Sequence, residues 1–279
     1  MANIRHIAIF SDNPPALAKF YGEVFGTTVT GIDELKNAWI TDGYMDIALL
    51  NRRGRENRRN GIHHWGFTIE AADRPAVLAK LQAFGVAPYS PYADSPEAHR
   101  PYAEDAVKDP DGNRFDLSTG MRPMRRADHA EAHEEHDTPP ATIRHIAIFS
   151  DDPSKLAKFY GEVFGLTVTG ESQGDVWVTD GYVDVALISR KNAKAPRGIH
   201  HWGFTLAAEA KPKIYEALKA RDLPPKDPRA ENPTIDRPYV EDAGFDIDGN
   251  RYDLTTGKRD MEVEKVRTLA KRAALAPAK

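Results

Sequence analysis

The feature that most constrains this chain is that it repeats itself. Residues 4–31, IRHIAIFSDNPPALAKFYGEVFGTTVTG, return at 143–170 as IRHIAIFSDDPSKLAKFYGEVFGLTVTG, with 24 of 28 positions identical. The likeness continues: ITDGYMDIALL pairs with VTDGYVDVALI, GIHHWGFT recurs unchanged, and RPYAEDAVKDPDGNRFDLSTG pairs with RPYVEDAGFDIDGNRYDLTTG. Between the copies MRPMRRADHAEAHEEHDTPPAT is polar, charged and closed by Pro139-Pro140, a linker composition. Its histidines, His129, His133 and His136, lie among acids and read as solvated linker residues. The expected organisation is a first domain over 1–120, a linker over 121–141, a second domain over 142–257 and a basic helical tail over 258–279. A chain of 279 residues accommodates two such domains, each large enough to bury its own core.

Each copy contains a weaker repeat of its own. Residues 4–10 form a β-rich run, and from Pro14 to Phe25 the apolar residues Leu17, Phe20, Tyr21 and Phe25 fall at helical spacing. Pro14 suits the first turn of that helix and Gly26 stops it. Short strands follow around 38–41 and 44–50, separated by the turn residues Asp42-Gly43. The same order restarts with a strand over 63–69, a helix over 74–84 stopped by Gly85, and strands near 103–108 and 114–118. The chain is therefore an α+β protein of four β-α-β-β-β modules, two per half.

Composition excludes several functions. Lys+Arg number 38 against 42 Asp+Glu, leaving a net charge of −4 and a pI near 6.2, which offers no basic field for a nucleic-acid backbone. No apolar run approaches the roughly 18 residues of a membrane span. The opening MANIRHIAIF enters a strand pattern at once, so a cytoplasmic protein without a leader is expected. Cysteine is absent, which removes disulfides, thiolate metal sites and a Cys nucleophile. No G-x-S-x-G motif occurs, and Gly112 and Gly249 sit in turns rather than in a phosphate loop.

Alternation along the strands sorts the remaining polar residues. His6 shares a face with Ala8 while Ile7 and Ile9 face the other way; His64 shares a face with Gly66 and Thr68, opposite Trp65, Phe67 and Ile69. Asp116, between Phe115 and Leu117, also projects from the side away from the helix-packing residues. His6, His64 and Asp116 thus converge on one concave face, and His145, His201 and Asp253 repeat them in the second half. By the same alternation His63 and His200 point away from the cavity and pack or hydrogen-bond behind their neighbours, with a role in supporting the adjacent histidine also open. Trp39 and Trp177 are candidates for cavity wall and substrate contact. Arg100, Tyr102, Arg237 and Tyr239, in the paired RPYAED and RPYVED, are candidates for holding an anion or supplying a proton.

The paired modules, the RHIAIF and HHWGF strand openings and the closing DPDGNRFDL resemble the vicinal oxygen chelate superfamily, which includes glyoxalase I, methylmalonyl-CoA epimerase, extradiol ring-cleaving dioxygenases and the bleomycin-resistance proteins. The resemblance covers nearly all of both halves. It implies tandem glyoxalase-like domains, each a curled mixed sheet around a divalent metal to which substrate oxygens chelate. Matched position by position, the family's metal ligands fall on His6, His64 and Asp116, and on His145, His201 and Asp253. Asp116 stands where the family usually has Glu, and Ala48 and Ala186 stand where glyoxalase-like members have a fourth ligand. Asp46 and Asp184 share that face two residues earlier.

Two imidazoles and one carboxylate with open positions are associated with non-haem Fe(II) oxygenases. The expectation is a metalloenzyme, an Fe(II) extradiol-type dioxygenase acting on a catechol-like small molecule, with Tyr102 and Tyr239 as catalytic proton donors. Arg100, Arg237, Trp39 and Trp177 would bind substrate. Ring-cleaving relatives usually keep iron in the C-terminal half alone and use a further histidine near it, two points on which this chain differs. The first alternative is a glyoxalase- or epimerase-type lyase or isomerase using Zn, Ni, Mn or Co. The second is a non-catalytic, bleomycin-resistance-like small-molecule binder. A monomer with pseudo-dimeric halves, or a homodimer, suits the duplication, with neither nucleic acid nor membrane as partner.

Overall fold

A computed structural model describes residues 2–52, 61–89, 105–119, 140–190, 198–227 and 241–256. The first half runs β1 (Asn3–Ser11), α1 (Pro14–Phe25), β2 (Thr28–Ile32), β3 (Ala38–Thr41), β4 (Asp46–Asn51), β5 (Gly61–Ile69), α2 (Arg74–Ala83), β6 (Asp105–Lys108) and β7 (Arg114–Thr119). The second repeats it as β8 (Ala141–Ser150), α3 (Pro153–Phe164), β9 (Thr167–Ser172), β10 (Asp175–Thr179), β11 (Asp184–Ser189), β12 (Gly198–Leu206), α4 (Lys211–Lys219), β13 (Asp242–Phe245) and β14 (Arg251–Thr255). Each half forms one open seven-stranded mixed sheet, in the orders β2-β3-β4-β1-β5-β7-β6 and β13-β14-β12-β8-β11-β10-β9. The two modules of a half meet at its centre, where β1 runs antiparallel to β5 and β8 to β12. The expected α+β, tandem, two-module architecture is the observed one.

Two details differ from the expectation. The first module has its full β-α-β-β-β pattern, but the strand next to the helix, which local pattern did not place, lies at the sheet edge as β2 in one half and β9 in the other. In the second module the described residues show a single bridge at the corresponding place, Tyr89 to Ala106 and Lys226 to Ala243. Residues 120–139 of the linker region, the tail, and residues 100–104 and 237–240 of the RPYAED and RPYVED segments lie outside the described residues.

Local chemistry fixes the helices. Asn13 and Asp152 cap α1 and α3, accepting from the backbone N–H of Ala16 and Lys155, and a proline opens each first turn. Gly26 and Gly165 end them at φ 73° and 77°, the left-handed conformation glycine adopts most readily.

The helices pack across the halves. Phe25 of α1 stacks on Phe204 of β12 with ring centroids 4.2 Å apart, and Phe164 of α3 stacks on Phe67 of β5 at 4.1 Å. One contiguous apolar cluster therefore runs through both halves, from Ile7, Trp65 and Phe115 to Ile146, Trp202 and Tyr252. Polar ties reinforce it. Asp42, in the β3–β4 turn, accepts from the Ile143 N–H at 2.6 Å, and Asp180 accepts from the Ile4 N–H at 2.7 Å. Tyr21 donates to Asp246 at 2.5 Å and Tyr160 to Asp109 at 2.6 Å, both bonds buried. At the centre Tyr44 stacks on Tyr182, with Arg5 and Arg144 over their outer faces. Among the described residues no helix is long and apolar enough to cross a membrane.

Candidate metal centres

Strand register assembles each centre as two transverse rows. In the first half Asp46, His6, Gly66, Asp116 and Ala106 lie directly opposite one another across β4, β1, β5, β7 and β6. The next row holds Trp39, Ala48, Ala8 and His64. The second half repeats both rows as Asp184, His145, Gly203, Asp253 and Ala243, and as Trp177, Ala186, Ala147 and His201. Small residues separate the polar ones, so the imidazoles and the carboxylate lean toward one another over open backbone. Gly66 is essential to this: a Cβ there would lie 1.9 Å from His6 Cε1.

Three donor atoms converge in each half. His6, His64 and Asp116 offer atoms all within 4.8 Å of one another, and so do His145, His201 and Asp253; all six residues are buried. His64 Nε2 lies 3.0 Å from Asp116 Oδ2, and His201 Nε2 lies 3.0 Å from Asp253 Oδ2. His145 Nε2 and His201 Nε2 are 3.2 Å apart. Two donors held at right angles about 2.1 Å from one ion would be about 3.0 Å apart, so the second centre has the spacing a single divalent ion requires.

The carboxylates are held ready. Burial opposes ionisation of Asp116, but the His64 imidazole, its hydrogen bond and Arg114 outweigh that and hold the carboxyl far below its usual range. Asp253 is likewise held low against its burial, by His201 and then Arg251. In each half the arginine Nε donates to Oδ1 at 3.0 Å while Oδ2 faces the imidazole, and in the second half Arg251 Nη2 also reaches Oδ2 at 3.4 Å. The turn before β7 is tied down as well, since Asp109 accepts from the backbone N–H of Asp111 and Asn113 and from Asn113 Nδ2.

A family model described as the Glyoxalase/Bleomycin resistance protein/Dioxygenase superfamily matches residues 3–117 and 142–254. The chain belongs to this superfamily. Solved structures of similar fold include the 2,3-dioxygenase LapB from Pseudomonas sp. KL28, at 17% identity and TM-score 0.66 over 91% of this chain and 92% of that one. The Mn(II)-bound glyoxalase from Novosphingobium aromaticivorans shares 18% identity, with TM-score 0.62 over 91% and 82% of the two chains. An extradiol ring-cleaving dioxygenase from B. fuscum gives 15% identity and TM-score 0.61 over 92% and 74%. At these identities the likeness concerns the fold. No curated protein matches the chain in sequence.

Within this superfamily fold, the six residues expected to hold metal are brought together as two sets of three. Trp39 and Trp177 are half-buried on the same faces, in line with His64 and His201. Arg100, Tyr102, Arg237 and Tyr239 fall outside the described residues. Sequence reasoning missed Arg114 and Arg251, although each stands two residues before its aspartate on one strand and so shares its face. His63 and His200 pack and hydrogen-bond behind their neighbours as expected, though not by simple alternation. A β-bulge interrupts the register there, Ile62 and His64 pairing with Ile9 and Ala8, so simple alternation fails. The result is His63 Nδ1 at 2.8 Å from His64 Nδ1, and the same 2.8 Å between His200 and His201. Burial, then His201 and Arg251, push the His200 imidazole down to about 4.

Proposed function

We propose that the chain is a metal-dependent enzyme of this superfamily which opens a catechol-like ring with dioxygen, using a centre in each half. The observation that carries this is the donor set. Two imidazoles and one carboxylate meet in each half, and alanines, Ala48 and Ala186, stand where a fourth protein donor would be. A two-histidine, one-carboxylate face leaves positions open for two substrate oxygens and for dioxygen, the pattern of non-haem Fe(II) oxygenases. Bound Fe(II) would supply a Lewis acid for adjacent substrate oxygens and the redox partner that dioxygen needs.

The chain's own residues supply the rest. His6, His64 and Asp116, and His145, His201 and Asp253, hold the ion. Arg114 and Arg251 keep the aspartates ionised and aimed. The alanine pairs Ala8/Ala48 and Ala147/Ala186 keep side-chain bulk low between the histidines and Trp39 or Trp177. Arg100 and Arg237 would hold a substrate anion, and Tyr102 and Tyr239 would pass a proton at a substrate oxygen. One carbon–carbon bond of the diol breaks and both atoms of dioxygen enter the product. The cross-packed halves provide in one chain the paired arrangement that a monomer needs.

A second reading is supported by Asp46 and Asp184, which lie opposite His6 and His145 in the register. A carboxylate beside the centre could move a proton on carbon, the chemistry of a lyase or isomerase using Zn, Ni, Mn or Co. The deciding experiment is metal analysis of protein purified anaerobically without a His tag, then oxygen uptake by the Fe(II)-loaded protein across catechols and hydroquinones. Expected are about two metal ions per chain and oxygen uptake matched to catechol loss. Metal binding without oxygen uptake, but with turnover of a hemithioacetal, would replace the dioxygenase by the isomerase. Failure to bind metal after reconstitution would leave a small-molecule binder.

A further inference from the structure

Each imidazole that faces a carboxylate across the candidate centre is backed by the imidazole of the residue before it. His63 Nδ1 lies 2.8 Å from His64 Nδ1, and His200 Nδ1 lies 2.8 Å from His201 Nδ1. The rings are nearly perpendicular in both halves, at 79° and 77°, with centroids 4.9 Å apart. The outer ring is seated on an aromatic neighbour, His63 on Phe10 and His200 on Phe149, at 4.6 Å and 50° in each case. Ordinary alternation would send consecutive strand residues to opposite faces; the bulge at this point in both sheets brings them together. The same irregularity, ring packing and nitrogen contact occur in both halves, so they are built features.

From this geometry we infer that His63 and His200 are positioning residues, each accepting a hydrogen bond from the Nδ1–H of the next histidine and so fixing it in the tautomer whose Nε2 lone pair faces the metal. Two ring nitrogens 2.8 Å apart share one hydrogen, so one donates and the other accepts. A histidine that binds an ion through Nε2 carries its hydrogen on Nδ1 and must donate there. The outer imidazole is then the acceptor and carries its own hydrogen on Nε2. Metal-bound histidines usually give this bond to a carboxylate, a backbone carbonyl or water. A neutral imidazole in that place fixes the tautomer without adding a negative charge. Each centre then counts one anionic protein donor, the aspartate, against a divalent ion, and the remaining positive charge favours an anionic diol. The inference rests on the proposal that the two donor sets hold metal.

The test reads tautomers and affinity, not turnover. In Zn(II)-loaded protein labelled with ¹⁵N-histidine, long-range proton–nitrogen spectra should show His64 and His201 with hydrogen on Nδ1 and His63 and His200 with hydrogen on Nε2. Hydrogen on Nδ1 of the outer pair would overturn the inference without any variant. Separately, Co(II) affinity is measured by chelator competition for His63→Asn/His200→Asn, which keeps an acceptor oxygen near the Nδ1 position, and for His63→Leu/His200→Leu, which keeps bulk alone. The leucine protein should bind about ten- to a hundred-fold more weakly and the asparagine protein close to wild type, with similar melting of both apo forms. Equal affinity in all three proteins, or equal loss in both variants, would overturn the positioning role. If wild type takes up neither Zn(II) nor Co(II), the metal reading itself has failed, a result distinct from these.

Discussion

The two centres are made from the same residues in the same register, yet their first histidines lie differently. In the second half the His145 and His201 rings are inclined at 49° and bring their Nε2 atoms to 3.2 Å. In the first the His6 and His64 rings stand edge-on at 84°, and the His6 ring occupies the space a Cβ at Gly66 would take. The consequence is visible in what each glycine protects. The three atoms nearest a Cβ at Gly66 all belong to the His6 ring, at 1.9 to 2.7 Å, whereas those nearest a Cβ at Gly203 are the Asp253 carbonyl at 3.1 Å and His145 Cβ and Cδ2 at 3.2 and 3.4 Å. The duplicated glycine thus constrains the first histidine's ring closely in one half and less closely in the other.

The largest expected effect separates these roles. Gly66→Ala should displace the buried His6 ring from its centre, lower bound metal from about two ions per chain to about one and cost about 1–3 kcal/mol. Gly203→Ala asks its neighbours for a smaller shift and should leave its centre binding metal, at a cost of about 1 kcal/mol. Metal analysis and chemical denaturation of the two variants check this; matching behaviour would mean that the difference between the His6 and His145 poses has no functional content.

Next in size are the hydroxyls that cross between the halves. Tyr160 reaches Asp109 in the turn that launches β7, the strand of Asp116, and Tyr21 reaches Asp246 before β14, the strand of Asp253. Burial raises the carboxyls of Asp109 and Asp246, and the tyrosine bonds offset part of that. Tyr160→Phe and Tyr21→Phe leave a buried carboxylate short of a donor and should each cost about 1–3 kcal/mol. If the turn transmits that loss to the centre, Tyr160→Phe weakens metal binding in the first half and Tyr21→Phe in the second. Denaturant melts combined with metal titration of each variant measure both effects.

Acid should reveal a further contribution from the second half. His200 is pushed down to about 4, against an ordinary value near 6.5 in the unfolded chain. Between those values the unfolded chain takes up a proton that the folded chain refuses, so apo-protein stability falls as pH drops through that window. His200→Asn removes the titrating group and should flatten that part of the curve. Melting temperatures of the metal-free proteins from pH 7 to 4 check it, and an unchanged slope would exclude His200 as the source.

Much of this molecule can be read from its sequence, because the evidence is local. The duplication, the helix from Pro14 to Phe25 and the separation of His6 and Ala8 from Ile7 and Ile9 depend on residues a few positions apart. Three things were not legible. Edge strand β2 carries Thr28, Gly31 and the exposed Val29 and Ile32, so no buried face marks it. The bulge at His63 is a property of two paired strands, and a single strand carries no sign of it. The apolar stripe of α1 declares that Tyr21 and Phe25 are buried but not that they lie on β12, more than a hundred residues away. Local pattern specifies which face is used, whereas the partner of that face is settled only by the assembled chain.

The smallest expected effect asks whether the halves are equivalent where their surroundings match. Asn13 accepts from the Ala16 N–H at 3.3 Å and Asp152 from the Lys155 N–H at 3.0 Å, each ahead of a proline-opened helix. Removing such a cap exposes one orphan N–H of the first turn and costs about 1 kcal/mol. The aspartate adds a negative charge at the positive end of its helix, a benefit of a few tenths of a kcal/mol that salt screens. Asp152→Ala should therefore lower the melting temperature slightly more than Asn13→Ala, by about 2–4 °C against somewhat less, with the two converging in high salt. Because α1 and α3 each pack on the opposite sheet, either loss should appear as one shifted transition of the whole chain. Two separate transitions would show that the cross-packed core does not bind the halves into one unit.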